Sequence, residues 1–226
     1  MPLQSVVLTG KYIRLEPLDR RHADGLAAAS AGDPSLYQWS PVPQGKEEAI
    51  RYIDTALAAQ DAGTAMPFAI VKMERRTSSP GYAINADDAK EEHDLVIGST
   101  RFFDIERWAW PPAHASHGRT FPDACEIGYT WLTRSAIRTA ANTEAKLLML
   151  THAFETWQVL RVCLHTDARN HRSRAAIERI GGKFEGILRS HRMAADFIAR
   201  DSARFSIIVA EWPEVKERLT RMLNVT

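Results

Sequence analysis

Three stretches of the chain hold residue types that suit chemistry. The first is Glu126, set inside the apolar run CEIGYTWL at 125–132. In a strand, Cys125, Ile127, Tyr129 and Trp131 share one face, and Glu126, Gly128, Thr130 and Leu132 share the other. A central strand is usually apolar on both faces. A carboxylate there, beside a glycine that leaves room, suits a general base lining a cleft. A carboxylate paired to an arginine on a half-exposed strand fits the same pattern equally. The second stretch is SAIRTAANTEAKLL at 135–148, where Ile137-Arg138-Thr139-Ala140-Ala141-Asn142 precedes an apolar-periodic helix. A helix start presents unpaired N–H groups and partial positive charge, and small residues ahead of it let a phosphate approach the backbone. An ordinary turn capped by Asn142 or Thr143 explains the same residues. The third stretch, TDARNHRSRAAIERIGG at 166–182, gathers Arg169, His171, Arg172 and Arg174 around another helix start. Cations there oppose the helix dipole, at a cost of about a few tenths of a kcal/mol each. An anion as partner explains such a cluster; so does a solvated face whose arginines snorkel outward.

The elements around these stretches follow from periodicity. VVLTGKYIRLEPL at 6–18 gives two short strands around Thr9-Gly10-Lys11, and Asp19 caps a first helix over 20–31. Ala49, Ile50, Ile53, Ala56 and Leu57 have helical spacing within 46–62. Strands are expected at 66–73 and 94–105, with a polar loop at 75–94 between them. The segment 106–124 has no period and is rich in Pro, His and aromatics, the composition of a functional loop. After CEIGYTWL come a helix at 143–158, a strand at 161–166 and a helix at 171–180 closed by Gly181-Gly182. Strands at 183–193 and 203–212 follow, and Pro213 opens a last helix. The order is mixed α/β (α+β), with an antiparallel front half and one parallel crossover, and it forms one domain over 1–226.

Bulk properties narrow the function classes. A net charge of +1 over 226 residues gives no general attraction to nucleic acid or anionic membranes. No apolar run reaches the ~18 residues of a membrane span. The N-terminal MPLQSVVLTGK has no signal-peptide pattern, so a cytoplasmic protein is expected. Cys125 and Cys163 both lie in strand-like runs, as reduced core thiols do. His114 and His117 lack a nearby third ligand, so no metal is expected.

Taken in order, EIGYTWL, NTEAKLLMLTHAFE and RVCLHTDARNHRSRAAIERIGGKFEGILR resemble the GNAT superfamily of acetyl-CoA-dependent N-acyltransferases, and within it the RimJ/RimL-type branch. The likeness runs from KYIRLEPL at 11–18 to RFSIIVAEWP at 204–213. It implies a mostly antiparallel sheet in which the family's fourth and fifth strands, here CEIGYTWL and RVCLHT, splay apart to admit acetyl-CoA. It implies that the loop Ile137 to Thr143 cradles the pyrophosphate, although Ile137, Ala140 and Asn142 depart from the family's Q/R-x-x-G-x-G/A pattern. Alanine at 140 also disfavours a positive φ there. The family's N-x-x-S matches Asn170, toward the pantetheine arm or the helix cap, and Ser173, toward the thioester sulfur.

The chemistry implied is direct attack of a primary amine on the thioester. An alkyl ammonium has a pKa near ~10.4, so its proton must be removed, and Glu126, directly or through a water, is the candidate base. A backbone N–H at Trp131 or Leu132 would hold the oxyanion. Tyr129 is set aside, since its face is that of the apolar set. Arg169, Arg172 and Arg174 are candidates for the 3′-phosphate. Tyr37, Trp39 and Lys46, with Trp108 and Trp110 of the long loop, are candidates for the acceptor side. The acceptor is a small-molecule amine in preference to a protein N-terminus, because no clear acidic groove appears beyond the acids at 87–94. A homodimer built on the final strand and long loop is an open alternative. So is a non-catalytic acyl-CoA-binding module, which release of free CoA on addition of amines would distinguish.

Overall fold

The computed structural model describes residues 4–73, 95–194 and 198–225; the 75–94 loop and its acids lie outside them. The strands are β1 (Leu8–Thr9), β2 (Ile13–Pro17), β3 (Ala65–Lys72), β4 (Leu95–Glu106), β5 (Ala124–Leu132), β6 (Arg161–Asp167), β7 (Lys183–Met193) and β8 (Ala199–Ile208). The helices are α1 (Ala23–Ser30), α2 (Gly45–Asp61), α3 (Ala140–Thr151), α4 (His171–Arg179) and α5 (Trp212–Asn224). The strands form one sheet in the order β1-β2-β3-β4-β5-β6-β8-β7. Among the described residues only β5 and β6 pair in parallel.

Helices α2 and α5 each lie on the sheet by an apolar stripe. In α2 it is Ala49, Ile53 and Ala56; in α5 it is Trp212, Val215, Leu219 and Leu223. Helices α1 and α2 cover one face of the sheet with Leu18, Leu26, Ile53 and Trp131. Helices α3 and α5 cover the other with Phe102, Met149, Phe205 and Leu219. A buried carboxylate ties the first hairpin to α3. Glu144 accepts the N–H groups of Lys11, Tyr12 and Ile13 at 2.7, 2.7 and 2.8 Å. Gly10 is required there, because a Cβ would run into the Glu144 carboxyl.

Three expectations outside β5 are corrected first. Helix α3 begins at Ala140, with Thr139 as its cap accepting the N–H of Ala141 at 3.3 Å, ahead of Asn142 and Thr143. The positive φ of the loop falls on Arg138 (63°), so Ala140 is helical and unstrained. Strand β8 runs from Ala199 to Ile208, about four residues earlier than the apolar run suggests, and Val209–Glu211 makes a 3₁₀ turn into α5.

The correction with most consequence for the site lies in β5. Ser99 pairs with Trp131 and Arg101 with Gly128, so Tyr129 and Thr130 together stand opposite Thr100. This is a β-bulge, with Tyr129 at φ 51°. It inverts the alternation beyond Gly128. Leu132 joins the α3 side and Trp131 the α1/α2 side. Thr130 turns toward α3, away from the face of Glu126, and meets Lys146. Tyr129, expected among the apolar set, is instead 40% exposed.

Candidate active site

The parallel pairing of β5 and β6 lasts three residues, from Ala124–Arg161 to Glu126–Cys163. Beyond that the strands separate, and a cleft of about 1050 Å³ opens between them. The cleft takes in the bulge of β5, the start of α3, the α4 side and the ends of β7 and β8.

One end is built from helix starts. Arg138, Thr139, Ala140, Asn142 and Thr143 line it. Thr139 satisfies only the Ala141 N–H, and the remaining donors of a first turn have no carbonyl of their own helix to reach. Ala141 itself points into the core. Ile137 lines the cleft and packs against the core. Opposite, Asn170 caps α4 by accepting the Ser173 N–H at 3.0 Å. Ser173 is half-buried and lines the cleft. Arg172 lines it as well and donates to the Leu36 carbonyl at 3.0 Å; Arg179 donates to Thr143 at 3.3 Å. Small residues, helix-start donors and flanking guanidiniums suit a polyphosphate. Arg174 is turned elsewhere, donating to the Ala168 carbonyl and lying over the Phe184 ring. Arg169 holds Asp167 and lies over the Trp39 ring.

At the other end Glu126 does not itself line the cleft. Its side chain is 3% exposed, and its Oε1 contacts Nδ1 of His165. His165 does line the cleft. Sequence reasoning missed His165, yet β6 alternation carried a signal. Val162 and Leu164 are core residues, which puts Arg161, Cys163 and His165 on the face of Glu126. The His165 ring meets Phe103 and His191 edge-on, with centroids 5.9 and 5.2 Å away. Burial, with His165 and Arg192 nearby, holds His191 below the ordinary histidine value.

The cleft floor holds Lys146, 5% exposed, which donates to Thr130 at 2.6 Å. Burial lowers its pKa to about 7, so an uncharged amine is populated at neutral pH. Tyr37 and Trp39 line the upper wall. Tyr37 packs edge-on against Trp131 and donates to the Leu132 carbonyl at 3.2 Å. Burial raises the Tyr37 pKa. Lys46 is outside the cleft, paired with Asp24.

Trp108 and Trp110 are also outside it. Buried Asp123 accepts the Trp108 backbone N–H at 2.7 Å and the Trp110 indole N–H at 2.8 Å. His114 stacks on Trp110, and His117 bonds its carbonyl. The long loop is thus tied down on itself through Asp123, which takes the Trp108 backbone and the Trp110 indole. Cys125 and Cys163 are free and buried. No described helix is long and apolar enough to cross a membrane.

The likeness to known proteins agrees with this geometry. A GCN5-related N-acetyltransferase from Brucella melitensis superposes with a TM-score of 0.76 at 25% identity, covering 99% of this chain and 87% of that one. Mycobacterium smegmatis RimJ, solved with a CoA-disulfide, shares the fold with a TM-score of 0.70 at 19% identity, over 98% and 95% of the two chains. RimL, a ribosomal L7/L12 alpha-N-protein acetyltransferase solved with coenzyme A, does so with a TM-score of 0.65 at 16% identity, over 90% and 98%. No curated protein sequence matches. The model of the acetyltransferase (GNAT) domain matches residues 13–183, most of the chain. With the splayed parallel pair and the helix-start cradle beside it, this places the chain in the GNAT family of acetyltransferases.

Proposed function

We propose that the protein moves the acetyl group of acetyl-CoA to the nitrogen of a primary amine by direct attack on the thioester, and that the acceptor is a small molecule in preference to a protein N-terminus. One observation carries the reading: a single cleft has a phosphate-suited helix start at one end and His165, backed by Glu126, at the other. In this reading the cofactor's pyrophosphate lies against Arg138 to Thr143, its arm passes the capped start of α4 at Asn170, and its 3′-phosphate meets Arg172 and Arg179. His165 takes the proton from the attacking amine. Glu126 fixes the ring through Nδ1 and stabilises the cation that forms.

For the oxyanion, Leu132 is favoured over Trp131. Leu132 offers its carbonyl to Tyr37, away from β4, and a strand residue's N–H and C=O point the same way, so its N–H also faces the gap. Ser173, which lines the cleft, donates to the departing sulfur in this reading. The attack forms the N–C bond and breaks the C–S bond, and the amine proton ends on the thiolate or solvent.

The preference for a small acceptor rests on charge. Among the described residues no carboxylate lines the cleft, so a basic protein tail would find no counter-ion there. The test is thiol release from acetyl-CoA over a panel of small amines and amidated peptides. Turnover of small amines is expected. Release with peptides alone would move the acceptor to a protein N-terminus, and release with neither would end the catalytic reading.

A further inference from the structure

The acceptor end of the cleft holds positive charge that acetyl transfer to a plain amine does not use. Arg192 on β7 and Arg200 on β8 face each other in the strand register, and both line the cleft. Arg192 is paired with Asp104 at 2.5 Å. Arg200 is different. Among the described residues it makes no ion pair, and its Nε is buried without a hydrogen-bond partner. The carboxylates whose charge reaches it are Asp167 and Glu126. Asp167 is already held by Arg169 at 2.9 and 2.7 Å, and Glu126 Oε1 is in contact with His165 Nδ1. Behind this wall Arg101, 5% exposed, lies 4.0 Å over the Tyr129 ring and 5.1 Å over the Tyr52 ring, and its Nε also lacks a partner.

Such an arrangement is unfavourable when empty. The half-buried Arg200 guanidinium loses hydration, and its Nε finds no hydrogen-bond acceptor among the described residues in exchange. It also repels a bare ammonium, which is what most amines are at neutral pH. Both difficulties end if the acceptor brings its own anion. A planar guanidinium binds a carboxylate or phosphate through charge-assisted hydrogen bonds. Held there, the amine lies among cations that favour its neutral, nucleophilic form.

We propose that the acceptor is a small amine carrying a carboxylate or phosphate a few bonds from its nitrogen, and that Arg200 is the residue that takes that anion, with Arg192 beside it. This rests on the acetyl-transfer reading above and adds the substrate class to it.

The experiment uses matched pairs of acceptors with acetyl-CoA: β-alanine against its amide, and aminoethyl phosphate against ethanolamine. The two pairs separate carboxylate from phosphate. Amidated peptides with an acidic second residue form a third arm. In the wild type the anionic member of at least one small pair is expected to have a kcat/KM about ten-fold or more above its neutral partner, the worth of one charged hydrogen bond. Arg200→Gln removes that ratio and Arg200→Lys keeps part of it, while acetyl-CoA affinity, measured by calorimetry, reports that each variant is folded. Equal rates within both pairs, or a preference that survives in Arg200→Gln, overturns the proposal. So does an acidic peptide that outperforms both small anionic amines. If no amine at all is acetylated, the catalytic reading fails separately, and titration of CoA-saturated protein with aminoethyl phosphate and with β-alanine decides. Salt-sensitive binding of either, lost in Arg200→Gln, upholds the anion site; binding of neither, or binding unchanged in the variant, removes it.

Discussion

Glu126 and His165 show how a residue's role depends on what stands in front of it. The carboxylate is buried and the imidazole lines the cleft, so the two act as a unit in the proposed chemistry. Glu126→Gln and His165→Gln are each expected to lower kcat by about 10²-fold or more, with little change in acetyl-CoA affinity. The double variant should be scarcely worse than either single one, because a unit is lost only once. Additive losses, or full turnover in either single variant, would separate the pair. Lys146 makes a different prediction. The unfolded chain keeps its lysine proton up to 10.5 and the folded chain only to about 7, so between those values the unfolded state binds more protons. Stability therefore rises with pH across that window, and the full penalty of burying the charge applies below it. Lys146→Met should stabilise the fold by about 2–4 kcal/mol below pH 7, with the gain vanishing toward pH 10.5. A gain independent of pH in urea melts would show that this lysine is not buried as a cation.

At the scale of elements, two side-chain devices fix helices α3 and α4, whose starts line the cleft. One is the capped start of α4, where Asn170→Ala should cost about 1 kcal/mol and weaken acetyl-CoA binding along with it. The other is the clamp of Glu144 on the first hairpin. Glu144→Ala strips three backbone N–H groups of their acceptor at once and should cost about 2–4 kcal/mol in chemical denaturation. A loss below ~0.5 kcal/mol would mean water replaces the carboxylate freely. The same scale shows what a linear pattern can carry. Helices α2 and α5 and strand β7 were legible because one stripe or one alternation suffices to place them. The start of α3 was not. Asn142 and Thr143 are good caps by type, but the hydroxyl of Thr139, following the left-handed Arg138, takes the cap first.

For the molecule as a whole, the sheet divides its two faces unequally. Helices α1 and α2 pack with β3 and β4, and the β5–β8 part of that face carries His165, Arg192 and Arg200 at the cleft. At the phosphate-suited end stand Arg138, Arg172, Arg179 and Arg221. A net charge of +1 hides this concentration, since the carboxylates lie elsewhere. Acetyl-CoA affinity should fall several-fold from low to high ionic strength, roughly as expected for phosphates meeting partly exposed cations. A dissociation constant indifferent to salt would assign these arginines to solvated surfaces.

The sequence by itself determined the order of strands and helices, the strand that carries Glu126 and the start of α4, because periodicity and short-range spacing encode these, and its motifs in order carried the family resemblance. Tertiary structure decided the rest. One left-handed residue, Tyr129, inverted the faces of β5, so Thr130 and Leu132 left the side of Glu126. Parallel pairing brought His165 in front of that carboxylate, and Asp123 drew Trp108 and Trp110 away from the site. Which arginines found ion-pair partners among the described residues and which, like Arg200, did not depended on contacts between strands remote in sequence. A single backbone inversion or cross-strand pairing redirects many side chains at once, and no local pattern records it.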